Sequence, residues 1–165
     1  MDSANVQEIM EKYDRESAVR NFTGVKHWIV ASLCVLFALV QLYAALTARI
    51  PATQLRPLHL GFVLMLAYLL YPISRKHAKP GALPWYDVAL ALLSMACCLY
   101  IALQHVDLAM RMGKTYDPAI DPAGYRRFLT DMVVGALLIL LLFEACRRVV
   151  GYPILIIGAV FLLYG

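Results

Sequence analysis

The sequence predicts an all-α integral membrane protein with four transmembrane helices, an N-terminal amphipathic helix and the start of a fifth apolar helix. Three observations carry that prediction. Apolar residues make up 62% of 165 positions, well above the roughly 45–50% of soluble domains. Mean hydropathy is +0.68. The apolar residues also gather into runs with very few ionisable groups: 28–48, 58–73, 88–106 and 128–145. About 20 such residues span a bilayer core of ~30 Å.

In chain order, residues 1–26 form the first segment. Val6, Ile9, Met10 and Tyr13 repeat at helical spacing, with Glu8, Glu11, Lys12 and Arg15 on other faces. Asn5 and Glu8 have the spacing of a capping pair, so an amphipathic helix on the membrane surface is expected. The segment is too polar, and its apolar run too late, for a cleaved signal peptide, so the first span is expected to be retained. Residues 27–149 form the four-helix bundle. Pro57 and Pro84 precede the second and third spans at positions suited to a first helical turn. Trp28, Tyr43, Tyr71, Trp85 and Tyr152 fall near span ends, where aromatic rings with polar tips favour the headgroup layer.

The fourth span is expected to stop near Arg148. A single helix from Phe128 to Tyr164 would measure about 55 Å, and two arginines at the bilayer centre would cost roughly 2.5–3.5 kcal/mol each. Gly151 and Pro153 supply a stop and a restart. Residues 150–165 then begin a further apolar helix, too short to cross comfortably. It is expected either to re-enter the membrane or to continue towards a larger membrane part.

Charge orients the bundle. The N-terminal segment, the loop containing Arg75, Lys76 and Lys79, and the Arg147–Arg148 pair share one side and hold nine basic residues; the other side holds six. The larger count belongs in the cytoplasm, which places the N-terminus inside. The net charge of +4 is spread over several loops and does not point to nucleic acid.

Two groups of residues are candidates for a role. Asp87, Glu144, Arg147 and Arg148 all fall at the inner end, with Glu144 and Arg148 at i, i+4; they are expected either to form an interfacial charge cluster or to be separately solvated. On the other side, the long connection from Asp107 to Arg127 contains Asp117-Pro118 and Asp121-Pro122, which favour turns. With Arg126 and Arg127, these make a candidate docking loop for an external protein. The four cysteines have no metal or disulfide spacing. No catalytic constellation is present, so no enzyme activity, cofactor or metal is expected. A haem-binding electron-transfer bundle is the alternative, with His59 and His105 as axial ligands.

Glu144-Ala-Cys-Arg-Arg-Val-Val-Gly151, Pro153 and Phe161-Leu-Leu-Tyr164 resemble the segment that joins the small and large membrane parts of TRAP transporters of the TAXI subgroup. Glu11-Lys-Tyr-Asp14 with Arg20, His59-Leu-Gly-Phe62, Leu70-Tyr-Pro72 and Pro84-Trp-Tyr-Asp87 extend the resemblance over nearly the whole chain. Cys146 stands where the pattern has a threonine. The resemblance implies the small four-helix part of a tripartite bacterial inner-membrane system. In that system an extracytoplasmic binding protein delivers an organic acid. A large twelve-helix part then carries it on a cation gradient, braced by the small part. The chain matches the small part and the start of the connection to the large one. The spans lack the convergent carboxylates and mid-membrane helix breaks of a transport site, so substrate residues are expected on the large part.

Overall fold

The computed structural model describes residues 19–20, 22–73 and 83–164. The expected amphipathic helix and the basic loop at 74–79 lie outside the described residues. Within them the fold is helical: α1 (Val25–Thr47), α2 (Ala52–Leu70), α3 (Trp85–Leu103), α4 (His105–Arg111), α5 (Pro122–Val149) and α6 (Tyr152–Tyr164). Four of these, α1, α2, α3 and α5, are long and apolar enough to cross a membrane. The chain is a multi-pass, all-α membrane protein.

Each of the four spanning helices starts three to six residues before its apolar run; α1, α2 and α3 stop one to three residues short of the run's end, and α5 passes it by four. Polar residues at the start extend a span towards water without entering hydrocarbon, so hydropathy misplaces its N-terminal boundary. Ala52–Leu70 begins six residues before the apolar run, and Pro57 therefore lies inside α2 rather than at its start. Its missing N–H removes one helical hydrogen bond. α5 extends from Pro122, an N1 proline, with Asp121 capping through a 2.8 Å bond from Gly124 N. Its 28 residues measure about 42 Å, so both ends project past the hydrocarbon core.

The centre is the α2–α3 pair. Gly61 allows a close approach: a Cβ there would lie 2.9 Å from Cys98 Cβ and 3.0 Å from Met95 Sδ. Small residues at a helix crossing serve membrane proteins well, because association there rests on van der Waals contact and not on exclusion of water. Phe62, Leu64, Met65, Tyr68 and Leu69 of α2 form the core with Ala91, Cys97 and Cys98 of α3 and Leu141 and Ala145 of α5. Tyr68 is fully buried, and its hydroxyl donates 2.6 Å to the Leu141 carbonyl, which removes the cost of a polar tip in an apolar setting.

α1 packs against α2, notably through Phe37 stacked on Phe62 with ring centroids 5.3 Å apart. Ala44 is its one buried residue, so most of its surface remains exposed. After α5, Gly151 adopts φ 106°, a left-handed turn that glycine permits at little cost. Gly158 then lies against Phe143. Those two positions are nearly equidistant from the turn, so α6 folds back alongside α5. Its 13 residues reach about 20 Å.

The connection after α3 is shorter than the sequence predicts. Residues 105–111 form α4, separated from α3 by a kink at Gln104, and Gly113 turns the chain with φ 77°. Only residues 112–121 remain irregular. Asp107 and Arg127, the expected loop boundaries, are helical.

Candidate functional site

Helix directions bring one end of α2, α3 and α5 together with the segment preceding α1. Asp87 enters from the first turn of α3, where a carboxylate also complements the positive end of the helix dipole. Arg148 enters from the last turn of α5, where a cation is favoured. Its Nη1 lies 2.7 Å from Asp87 Oδ1, and both side chains are 0% exposed. Arg148 Nε donates 2.8 Å to Glu144 Oε1 across one helical turn. Its guanidinium carbon sits 4.9 Å from the Tyr68 ring centroid, an arrangement that a desolvated cation gains from.

Arg20 completes the cluster from a quarter that sequence reasoning does not reach. Its Nη2 donates to Asp87 Oδ2, its Nη1 donates 3.2 Å to the Leu69 carbonyl, and its backbone N–H donates 2.9 Å to the Leu70 carbonyl. One residue thereby pairs with the acid at the start of α3 and satisfies carbonyls at the end of α2, groups that a helix end leaves without internal partners. Arg148 Nη1 adds a longer 3.4 Å contact to the Tyr71 carbonyl. Asp87 is thus flanked by two guanidinium groups, one on each oxygen.

Arg147 stands differently. It pairs with Glu144 at 2.7 Å through both Nε and Nη2, and no bond joins it to Asp87 among the described residues. Its side chain is 26% exposed. Arg147 is the outward edge of the group and Arg148 its buried centre. The arrangement can hold helix ends in register, since removing charges from water costs several kcal/mol per ion unless all are paired. Every charged member has a hydrogen-bonded partner; within the cluster, Arg148 Nη2 is the buried nitrogen left without one among the described residues.

At the opposite end lies a second ionic contact that the sequence does not announce. Tyr100 of α3 donates 2.6 Å to Asp131 Oδ1 of α5, while Arg111 Nε of α4 lies 3.3 Å from Asp131 Oδ2. That second pair is close enough for attraction but is not aligned as a hydrogen bond, because Arg111 Nε and Nη2 both lack one. Asp131 lies within the fourth apolar run, where a lone carboxylate gives no hint of its partners on other helices.

Of the four candidate docking residues, Asp117, Asp121 and Arg127 border two adjoining hollows that share Tyr116 and Asp121. Asp117 Oδ1 accepts from Ala119 N at 2.8 Å, and Asp121 caps α5; both lie beside Tyr116 in an open depression. Arg127 lines a neighbouring cavity that Asp121 also borders. Arg126 lies in the first turns of α5 with its carbonyl accepting from Thr130 Oγ1 at 2.9 Å. Local turn and cap duties thus absorb both acids.

The two histidines considered as haem ligands have separate surroundings. His59 packs its ring 5.1 Å from that of Phe37. His105 Nδ1 lies 3.0 Å from the Ala102 carbonyl and 3.2 Å from Gln54 Nε2, so it donates or accepts according to its tautomer. Among the described residues, no three His, Cys, Asp or Glu side chains gather as a metal-holding group.

No protein-family model matches this chain, and no curated protein or solved structure does.

Proposed function

We propose that the chain is the small scaffold component of a tripartite, cation-gradient-driven transporter of the TRAP type, TAXI subgroup, that takes up an organic acid across a bacterial inner membrane. In this reading the N-terminus is cytoplasmic. The chain braces a large twelve-helix membrane part, and an extracytoplasmic binding protein delivers the solute. The residue motifs from Glu11 to Tyr164 are the basis for the family, and one structural observation supports a bracing role. The buried charges Arg20, Asp87 and Arg148 are spent on one another and on helix-end carbonyls, whereas a transport site needs polar groups left open to ions or solute. The exposed apolar sides of α1, α5 and α6 offer surface for lipid and for a larger membrane partner.

Co-purification from native membranes tests the reading. Crosslinked material is expected to contain a large membrane protein of about twelve helices, or that same protein continuous with this chain. Recovery of the chain alone overturns it. Reconstituted by itself in liposomes, the chain is expected to be inert; gradient-driven accumulation of an organic acid would mean that it carries the transport site itself.

A further inference from the structure

We propose that the cavity between α4 and the start of α5 holds the headgroup of a zwitterionic phospholipid with a primary ammonium, phosphatidylethanolamine by chemistry. The cavity encloses about 290 Å³. Asp107, Met110 and Arg111 of α4 line one side, Arg127 of α5 the other, with Tyr116 and Asp121 between them. Asp121 is committed to its cap and Arg111 is paired with Asp131. The side chains of Asp107 and Arg127 have no hydrogen-bond or ion-pair partner among the described residues. One carboxylate and one guanidinium without partners among the described residues therefore border the same space.

That charge pattern selects the ligand. A simple anion gains from Arg127 but is repelled by Asp107, and a simple cation meets the reverse. A zwitterion satisfies both: phosphate oxygens accept from Arg127, and an ammonium donates to Asp107. A quaternary ammonium has no N–H to donate, so phosphatidylcholine is discriminated against. The same chemistry exists in soluble phosphoethanolamine, but the surroundings favour a lipid. Met110 in the cavity lining is 67% exposed and Ile120 of the adjoining depression 83%, an apolar fringe suited to the upper acyl chains. The site does not depend on the transporter reading.

Native mass spectrometry of the full chain tests it, after exchange into micelles containing equal dioleoylphosphatidylethanolamine and dioleoylphosphatidylcholine. About tenfold preferential retention of the ethanolamine lipid is expected, the scale of one charge-assisted hydrogen bond. Asp107→Asn should abolish the preference and Arg127→Gln should lower retention of both lipids, each without changing thermal unfolding, and Asp107→Glu should keep part of the preference. Equal retention of the two lipids by the unaltered chain overturns the proposal, as does an unchanged preference in Asp107→Asn. Soluble phosphoethanolamine bound with no lipid preference would identify a free-solute site instead. Loss of an external protein's binding in Arg127→Gln, with lipid retention unaltered, would identify a protein-docking site.

Discussion

Asp87 and Arg148, 61 positions apart, meet at 2.7 Å with neither side chain exposed. The contact joins the beginning of α3 to the end of α5, and Arg20 occupies the other carboxylate oxygen. Removing the acid's charge leaves two guanidinium groups facing each other, with Glu144, bonded to Arg148, as the remaining carboxylate. Asp87→Asn should therefore cost about 3–5 kcal/mol, the range for breaking a buried pair. Thermal unfolding in detergent, followed by size-exclusion chromatography, measures it. A shift in midpoint no larger than that of an exposed control such as Arg126→Gln would refute the claim.

Arg20→Gln should be milder than Asp87→Asn. The glutamine still donates one hydrogen bond, and the backbone N–H of residue 20 can still bond the Leu70 carbonyl. Asp87 also keeps Arg148. A loss of about 1–3 kcal/mol is expected, the scale for hydrogen bonds to charged groups. The paired variants Arg20→Gln and Arg148→Gln should be non-additive, since both act on one carboxylate.

Tyr68→Phe removes the hydroxyl bonded to the Leu141 carbonyl. That carbonyl remains in α5, so its own helical bond persists and only the extra bond is lost. About 1 kcal/mol is expected. Tyr68→Ala should cost about 3–5 kcal/mol by opening a cavity and by removing the ring beneath Arg148. The difference between the two substitutions isolates packing from hydrogen bonding.

Gly61→Ala tests the helix crossing. The new methyl would meet Cys98 Cβ, an atom fixed directly to backbone, so α2 and α3 must separate. About 1–3 kcal/mol of overpacking is expected. The double variant Gly61→Ala with Cys98→Gly should recover part of it; no recovery would place the strain elsewhere.

Asp131 offers a coupling measurement. Asp131→Asn, Arg111→Gln and their double variant form a cycle, with Tyr100→Phe as a third arm. The Tyr100 bond is short and part-buried, whereas Arg111 is not aligned for one. Coupling of Asp131 to Tyr100 should therefore exceed coupling to Arg111, both falling within about 0.5–3 kcal/mol.

How far each interaction reaches along the chain decides whether the sequence reveals it. The four spans are legible because hydrophobic length is a property of a contiguous segment. Glu144 and Arg148 are legible as neighbours because a helix places i and i+4 together. The placement of Asp87 near them needs only the alternation of span directions. Arg20 enters the sequence reading as a basic residue on the inner side and as part of a resemblance motif, but neither reading pairs it with Asp87, a contact 67 positions away. Asp131 is hidden for the opposite reason: an apolar run absorbs one carboxylate without losing its average character. The short helix α4 reads as loop because His105–Arg111 mixes charged and apolar residues over only seven positions, below the length at which periodicity speaks. Pro57 shows a related limit, since a proline near a span boundary can sit before a helix or one turn and a half inside it.

Because one counter-ion of Asp87 precedes it in the chain and the other follows it, ribosomal synthesis supplies them at different times. Arg20 is already made when α3 emerges; Arg148 arrives only after a further 61 residues. During that interval Asp87 has one of its two partners, and Arg20 alone ties the start of α3 to the end of α2. Insertion of α5 in the opposite orientation would carry Arg148 to the other face and leave the acid with half of its compensation.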